Sequence, residues 1–207
     1  MKPSLAVTNG RAPTQSRAKA TVSAILEAAE QLMRDQPFAA VRMRDIGKRA
    51  GVAQGTLYEY FPTKRHLEVA VEARTWWRIS ERVMTTVMSV RGGPLVPAIR
   101  AVVETTMAAI FEETRDNPIR LHGRGVFEKR NACMEQIADF LVPVLANRKD
   151  ELRSHDLRQA SRMVIETVAM LSGYATWTHP EGIRDGSYAR EVGIMIAAYL
   201  VRSSADG

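Results

Sequence analysis

The chain has 207 residues and 45% hydrophobic side chains, enough apolar material for one domain or two small ones. Ala, Leu, Met, Arg and Glu are abundant, so the composition predicts a helical protein. The single cysteine excludes an internal disulfide, and the longest apolar run, Ile194 to Val201, is too short to cross a bilayer. We therefore expect a cytoplasmic protein without a membrane segment.

The net charge of +6 is unevenly distributed along the sequence. Residues 1–70 carry 11 Lys and Arg against 6 Asp and Glu, whereas residues 71–207 carry 18 against 17. A cationic excess at one end favours a polyanionic partner such as nucleic acid. The alternative is a basic surface that serves only solubility.

Residues 1–14 are polar and contain two prolines and a glycine, which predicts a flexible arm. Apolar residues at helical spacing predict a first helix near 16–35, and Pro37 ends it. A second helix near 43–50 carries an apolar stripe that includes Ile46, with basic residues beside it. Gly51 ends this helix.

A third helix is predicted near 54–61. Its Leu57 and Phe61, four residues apart, point towards a core, while hydroxyl-bearing side chains face outward. Two short helices joined by a turn that contains glycine form a helix-turn-helix, which offers its second helix to the major groove of DNA.

The run from Gly51 to Lys64, Gly-x-x-x-Gly-Thr-Leu-Tyr-x-Tyr-Phe-x-x-Lys, resembles the signature of the TetR family of one-component bacterial transcription regulators. The similarity extends upstream through Arg44-Asp45-Ile46 to the first helix, while the last two thirds are similar only in helical layout. The resemblance implies an all-α fold of about nine helices. It divides the chain into an arm (1–14), a helix-turn-helix DNA-binding domain (15–62) and a helical ligand-binding and dimerisation domain (63–207).

The resemblance also implies how DNA is contacted. Hydroxyl groups hydrogen-bond phosphates, a lysine adds charge, Arg and Gln read base edges, and a glycine allows close backbone approach. The residues assigned to these roles are Arg44, Gln54, Gly55, Thr56, Tyr58, Tyr60 and Lys64. Ordinary packing is the alternative for the two tyrosines, and a solvated charge is the alternative for Arg44. Met43 stands where the family commonly has a phosphate-contacting threonine, which puts that contact in doubt.

A long fourth helix is predicted from Thr63 to about Met88, ended by Gly92-Gly93-Pro94. Further helices are expected near 95–115, 118–129, 131–148, 157–178 and 187–203. Methionine and aromatic side chains in this body favour a pocket for a bulky apolar or planar effector, although each of them is also a common core residue. The candidate lining residues are Trp77, Met84, Met107, Phe111, Phe127, Met134, Met163 and Met170.

A symmetric dimer is expected because a quasi-palindromic operator on double-stranded DNA needs two heads, and either one dimer or a pair of dimers would satisfy it. We place the interface on the helices near 157–178 and 187–203, as a four-helix bundle. The faces proposed for it are Val164, Val168, Leu171 and Ala175, and Val192, Met195, Ile196 and Tyr199. An intramolecular core is the alternative for both faces.

Two functions follow from these patterns. The first is a regulator, repressor or activator, released from its operator by a small apolar or aromatic effector. The second is a dimeric interaction protein whose body binds a protein partner and for which DNA binding is incidental. No enzyme is predicted, since the four histidines lack the spacing of metal ligands, no nucleophile motif occurs and no cofactor motif occurs.

Overall fold

The computed structural model describes residues 16–115, 124–153 and 156–202, with the backbone alone for 124–129. Within these ranges it contains α-helices and no strand, which confirms the all-α prediction. The helices are α1 (Ser16–Asp35), α2 (Met43–Ala50), α3 (Gln54–Tyr60), α4 (Lys64–Val90), α5 (Leu95–Thr114), α6 (Arg124–Ala146), α7 (Leu157–Thr178), α8 (Pro180–Arg184) and α9 (Ser187–Leu200). No helix of the described ranges is both long enough and apolar enough to cross a membrane.

The described residues form two compact units. The head consists of residues 16–75 and 124–129, and the body consists of residues 76–115 and 130–202. The division falls inside α4, so this helix contributes its first part to the head and its remainder to the body.

The head is built around one apolar cluster. Ile25 of α1, Ile46 of α2 and Leu57 of α3 are fully buried in it, and Phe61 and Leu67 extend it to the start of α4. This packing uses the apolar stripes that the sequence places on α2 and α3. The outer faces of both helices are therefore left in solvent.

The turn between α2 and α3 depends on Gly51. This residue has φ 67° and ψ 28°, the left-handed conformation in which a side chain is strained. Its amide donates to Lys48 O, and the amide of Val52 donates to Gly47 O at 3.0 Å. These bonds satisfy the last carbonyls of α2 and fix the angle at which α3 begins.

In the body, α5 packs against both α7 and α9. The shared core contains Val103, Met107, Val168 and Ile196. The chain around Glu151 pairs with the end of α9, since the Arg153 amide donates to Leu200 O at 3.0 Å and the Arg202 amide donates to Glu151 O at 2.9 Å.

Two sequence predictions about the helices of the body were wrong. The break expected between 129 and 131 is absent, because α6 runs unbroken from Arg124 to Ala146. No glycine or proline lies near 130 to interrupt it. The short helix α8 was not predicted. It begins at Pro180, where a proline is well tolerated because the first turn of a helix needs no amide donor.

The dimer faces proposed from the sequence were mostly wrong. Val168, Ala175, Val192 and Ile196 are buried in the core of their own body, and Val164, Leu171 and Tyr199 pack against it. Met195 is the exception, with 46% of its surface exposed. The intramolecular alternative therefore holds for most of these residues, because α7 and α9 turn those faces towards α5.

Candidate nucleic-acid interface and body cavity

The outer face of α2 is cationic. Arg44 and Lys48 extend into solvent, and the Arg44 side chain is 59% exposed. Its Nε lies 3.7 Å from Asp45 Oδ1, a loose contact that leaves the guanidinium available to other acceptors. Arg49 donates to Gln31 Oε1 at 3.3 Å and ties the end of α2 to α1.

The outer face of α3 is polar and open. Gln54, Gly55 and Tyr58 are exposed, whereas Thr56 and Tyr60 are half-buried. A Cβ at Gly55 would meet nothing within 4 Å, so the packing of the head does not require a glycine there. Tyr60 packs partly against the apolar cluster of the head, so its ring has a structural role as well.

The start of α3 carries no side-chain cap. Ala53 precedes the helix and offers no hydrogen-bonding group to the first amides. Since Leu57 and Phe61 hold the inner face of the helix in the core, this end and the polar outer face point away from it. Amides at a helix start favour anionic groups, so this surface suits a phosphate backbone with base edges beside it.

Lys64 is used within the head. Its Nζ donates to Ala39 O at 2.9 Å and lies 4.7 Å from the centroid of the Phe38 ring. These contacts hold the start of α4 against the chain that follows α1. Among the contacts of the described residues, Lys64 is the one predicted DNA contact whose side chain already makes a hydrogen bond. A DNA phosphate would have to compete with the Ala39 carbonyl for the Lys64 ammonium group.

A second tie inside the head joins α1 to α4. Arg74 donates to Glu27 Oε1 at 3.1 Å and to the Ser23 carbonyl at 3.3 Å. The hydrogen bond from Arg74, helped by one from Ser23, lowers the pKa of Glu27 below its ordinary value of 4.5. This ion pair stabilises the packing of α4 on α1 at neutral pH.

The body contains an apolar cavity of about 110 Å³. It is lined by α4, α5, α6, α7 and α9, mainly with Val, Ile and Leu side chains. Trp76 and Val90 mark the first and last lining positions on α4, and Leu95 and Ile110 mark those on α5. Cavities with these walls take apolar ligands, provided that a few polar groups orient them.

The residues predicted to line a pocket lie in different places: in the cavity wall, in the core beside it or at the surface. Met134 lines the cavity. Met107 and Phe111 are buried in the core beside it, and Trp77 and Met84 are half-buried on α4 without lining it. Phe127 belongs to the residues whose side chains are not described.

Met163 and Met170 were expected in the pocket but lie on the surface of α7, 49% and 58% exposed. The face of α7 that lines the cavity consists instead of Val164, Ile165 and Val168, together with Ser161 and Ala169. Trp76 and Ser161 also line the cavity, although neither was predicted to do so. Nothing in the local pattern separates Trp76 from Trp77, and the only signal for Ser161 is a small polar residue on an apolar helix face.

Large apolar side chains remain exposed on α7 and α9. On α7 they recur at intervals of seven, four and three residues, which places them on one stripe of the helix. We call this set the apolar stripe; its members are Met163, Met170, Tyr174 and Trp177 on α7 and Ile194 and Met195 on α9. Exposed patches of this kind mark surfaces for protein contacts.

The model of the family described as "Bacterial regulatory proteins, tetR family" matches residues 25–71, which confirms the resemblance found in the sequence. The chain is also similar to the HTH-type transcriptional repressor KstR of Rhodococcus jostii (strain RHA1), with 48% identity over 58 residues. That match covers 28% of this chain and 27% of the relative. The chain spans about a quarter to a half of the length of the curated relatives it matches.

Solved structures of low identity share the fold. A putative TetR-family transcriptional regulator from Mesorhizobium loti superposes with a TM-score of 0.71 at 16% identity, covering 91% of this chain and all of that one. A complex of SmeT with triclosan superposes with a TM-score of 0.61 at 22% identity, covering 89% of this chain and 93% of that one. These likenesses concern the fold alone, and they cover the helices of the body as well as those of the head.

Proposed function

Because this chain belongs to the TetR family of bacterial transcription regulators, we propose that it is a DNA-binding repressor released from a quasi-palindromic operator by a small apolar effector. The observation that carries the proposal is the helix-turn-helix itself. Its α3 is held by Leu57 and Phe61 and leaves Gln54 and Tyr58 in solvent beside cationic α2. We infer repression rather than activation because the similar KstR protein is named as a repressor. We place the protein in the cytoplasm because its proposed DNA target lies there.

We assign base reading to Arg44 and Gln54, whose side chains are exposed and of the types that pair with guanine and adenine. Tyr58 and Thr56 hydrogen-bond phosphate oxygens and set the register of α3, and Tyr60 adds to this from a half-buried position. Gly55 permits close backbone approach.

Lys64 has a different role from these residues. Since its Nζ already donates to Ala39 O, Lys64 holds the start of α4 in place and favours DNA binding mainly through the positive electrostatic field of the head. We propose that residues 15–62 form the DNA-binding domain and residues 63–207 form the ligand-binding and dimerisation domain. The part of α4 up to Thr75 packs in the head but is not part of its DNA-facing surface.

We assign the apolar stripe to contact with a second copy of this chain. A two-fold axis between two copies of α7 would place Met170 and Tyr174 of one copy against the same residues of the other. A protein partner on the same stripe is the alternative function. The cavity in the body favours the effector-regulated repressor, because an apolar cavity with a few polar groups is typical of a small-molecule site.

Selection of operators from random DNA, followed by binding titrations, tests the proposal. A quasi-palindrome with half-sites about one helical turn, ~34–36 Å, apart should emerge. For two heads with three to five phosphate contacts each, the slope of log K against log salt should lie at roughly −5 to −9. A slope shallower than about −2, or the recovery of no palindrome, would show that the head does not grip DNA.

A matched pair of variants controls that experiment. Gln54→Ala should relax selection at one position of each half-site, while exposed Glu59, on the same helix, should tolerate Gln without a change of sequence preference. The same selected operator then serves to screen small molecules for release.

A further inference from the structure

We propose that the body cavity binds a small, neutral, mainly aliphatic molecule with a hydrogen-bond-accepting oxygen, and that the Trp76 indole and the Ser161 hydroxyl are the donors that the cavity offers to it. The inference rests on the proposed function, since this molecule would be the effector. Three observations carry it: the unpartnered polar atoms of the cavity wall, the size of the cavity and the charges that line it.

Ser161 breaks a pattern that the other buried hydroxyl groups of the body follow. Ser80, Thr114, Ser172 and Thr176 each donate to the carbonyl of the residue four positions earlier in their own helix, at 2.5–2.9 Å. Ser161 is fully buried and lines the cavity, yet its Oγ has no hydrogen-bond partner among the described residues. This hydroxyl is available to a molecule in the cavity.

Trp76 supplies a second polar group. Its side chain is 3% exposed and lines the cavity, and its Nε1 also lacks a hydrogen-bond partner in the described part of the chain. An indole N–H is a donor only, so its complement is an acceptor oxygen. Buried polar groups of this kind are normally satisfied, which makes two of them lining the same cavity a recognition feature.

The size of the cavity excludes bulky ring systems. Its volume is about 110 Å³. For comparison, an engineered cavity of about 150 Å³ in another protein holds benzene. A small flexible molecule therefore fits better than fused rings.

The charges favour a neutral molecule. Among the described lining residues only Arg91, just after α4, and Arg148, just after α6, carry charge. Arg148 is already paired with Glu151 and donates to the Gly93 carbonyl. A carboxylate placed near Trp76 would pair with no charged lining residue of the described part of the chain and would lose its hydration.

The experiment uses the full chain and three probes of equal length, 2-heptanone, heptane and heptanoate, with binding measured by calorimetry and by the shift in thermal unfolding. We expect 2-heptanone to bind more tightly than heptanoate, and we expect its hydrogen bonds to appear as effects of the variants on 2-heptanone that heptane does not show. Ser161→Ala should weaken 2-heptanone by roughly 2- to 10-fold, the loss of one hydrogen bond, and leave heptane unchanged.

Ser172→Ala is the matched control, because Ser172 is an equally buried serine of α7 whose hydroxyl is already bonded to Val168 O. It should not change the binding of either probe. Without ligand, Ser172→Ala should lower the unfolding temperature, whereas Ser161→Ala should not, since it removes a buried hydroxyl without a partner. Trp76→Phe should likewise weaken 2-heptanone selectively, and Trp77→Phe should not.

No effect of Ser161→Ala on 2-heptanone, equal weakening of 2-heptanone and heptane by it, or tightest binding of heptanoate would overturn the inference. These measurements are made without DNA. A protein that binds its operator but fails them loses only the effector assignment, while a protein that passes them but binds no palindrome loses the proposed function.

Discussion

Replacing Met170 with glutamate should separate the two copies of the chain. Met170 lies in the apolar stripe with 58% of its surface exposed, and Tyr174, one turn later, is 63% exposed. The six side chains of the stripe expose on the order of 600 Å² per copy, so a symmetric pair would bury about 1,200 Å², the lower end for specific interfaces.

The expected loss is large because the substitution acts twice. A two-fold axis brings both new carboxylates into one apolar contact, where each loses hydration and repels the other. We expect a cost of about 3–4 kcal/mol, which weakens dimerisation roughly 100- to 1000-fold. Sedimentation equilibrium over a concentration series measures this directly.

Met88→Glu provides the control, since Met88 is also an exposed methionine, at 43%, but lies on α4 outside the stripe. It should leave the dimer intact, and both variants should keep the helical content of the parent chain. If Met170→Glu remained dimeric at micromolar concentration, or if Met88→Glu dissociated equally, the assignment of the stripe to self-association would be refuted.

Three further predictions concern the head. Gly51→Ala should lower the free energy of unfolding by about 1 kcal/mol, since an alanine at φ 67° is strained. Gly55→Ala should not lower the free energy of unfolding, because a Cβ there meets nothing within 4 Å, and it should weaken only DNA binding. Denaturant titration of both variants measures the difference in stability. Tyr58→Phe should weaken binding to all DNA sequences alike by about 1 kcal/mol, whereas Gln54→Ala should reduce discrimination between bases at one position by ~1–3 kcal/mol. If both variants weakened binding to every sequence equally in anisotropy titrations, our assignment of Tyr58 to phosphate and Gln54 to a base would be contradicted. Glu27→Gln should lower the unfolding temperature at pH 7, and this difference should shrink as the pH falls below 4.5. A carboxyl group whose pKa is lowered in the folded state stabilises the fold above its unfolded-state pKa, and this stabilisation is lost as the pH falls through the folded-state pKa.

The head could be predicted closely because its signals are local. Gly51 fixes a backbone conformation that few residues adopt, and the spacing of Leu57 and Phe61 leaves one inner face for α3. Both facts are visible within a dozen residues. The engagement of Lys64 with Ala39 was not predictable, since it joins residues 25 positions apart.

The body resisted prediction because α7 is apolar on two faces. Periodicity identifies Val168 and Met170 equally well as buried, and only the packing of α5 decides that Val168 faces inward. The cavity has the same difficulty. Its wall of Val, Ile and Leu reads as an ordinary core, and the methionines that suggested a pocket lie mostly elsewhere.

The position of the unit boundary inside α4 determines how this protein can be dissected. Proteases attack exposed, irregular backbone, so the peptide between Thr75 and Trp76, in mid-helix, should resist the cleavage that separates domains joined by loops. A fragment that stops at Thr75 would end in unpaired carbonyls and lose the rest of its last helix. A chimera joined in the loop at Gly92 and Gly93 would therefore keep α4 whole, but it would also replace the part of α4 that lines the cavity and leave residues 124–129 of the head behind.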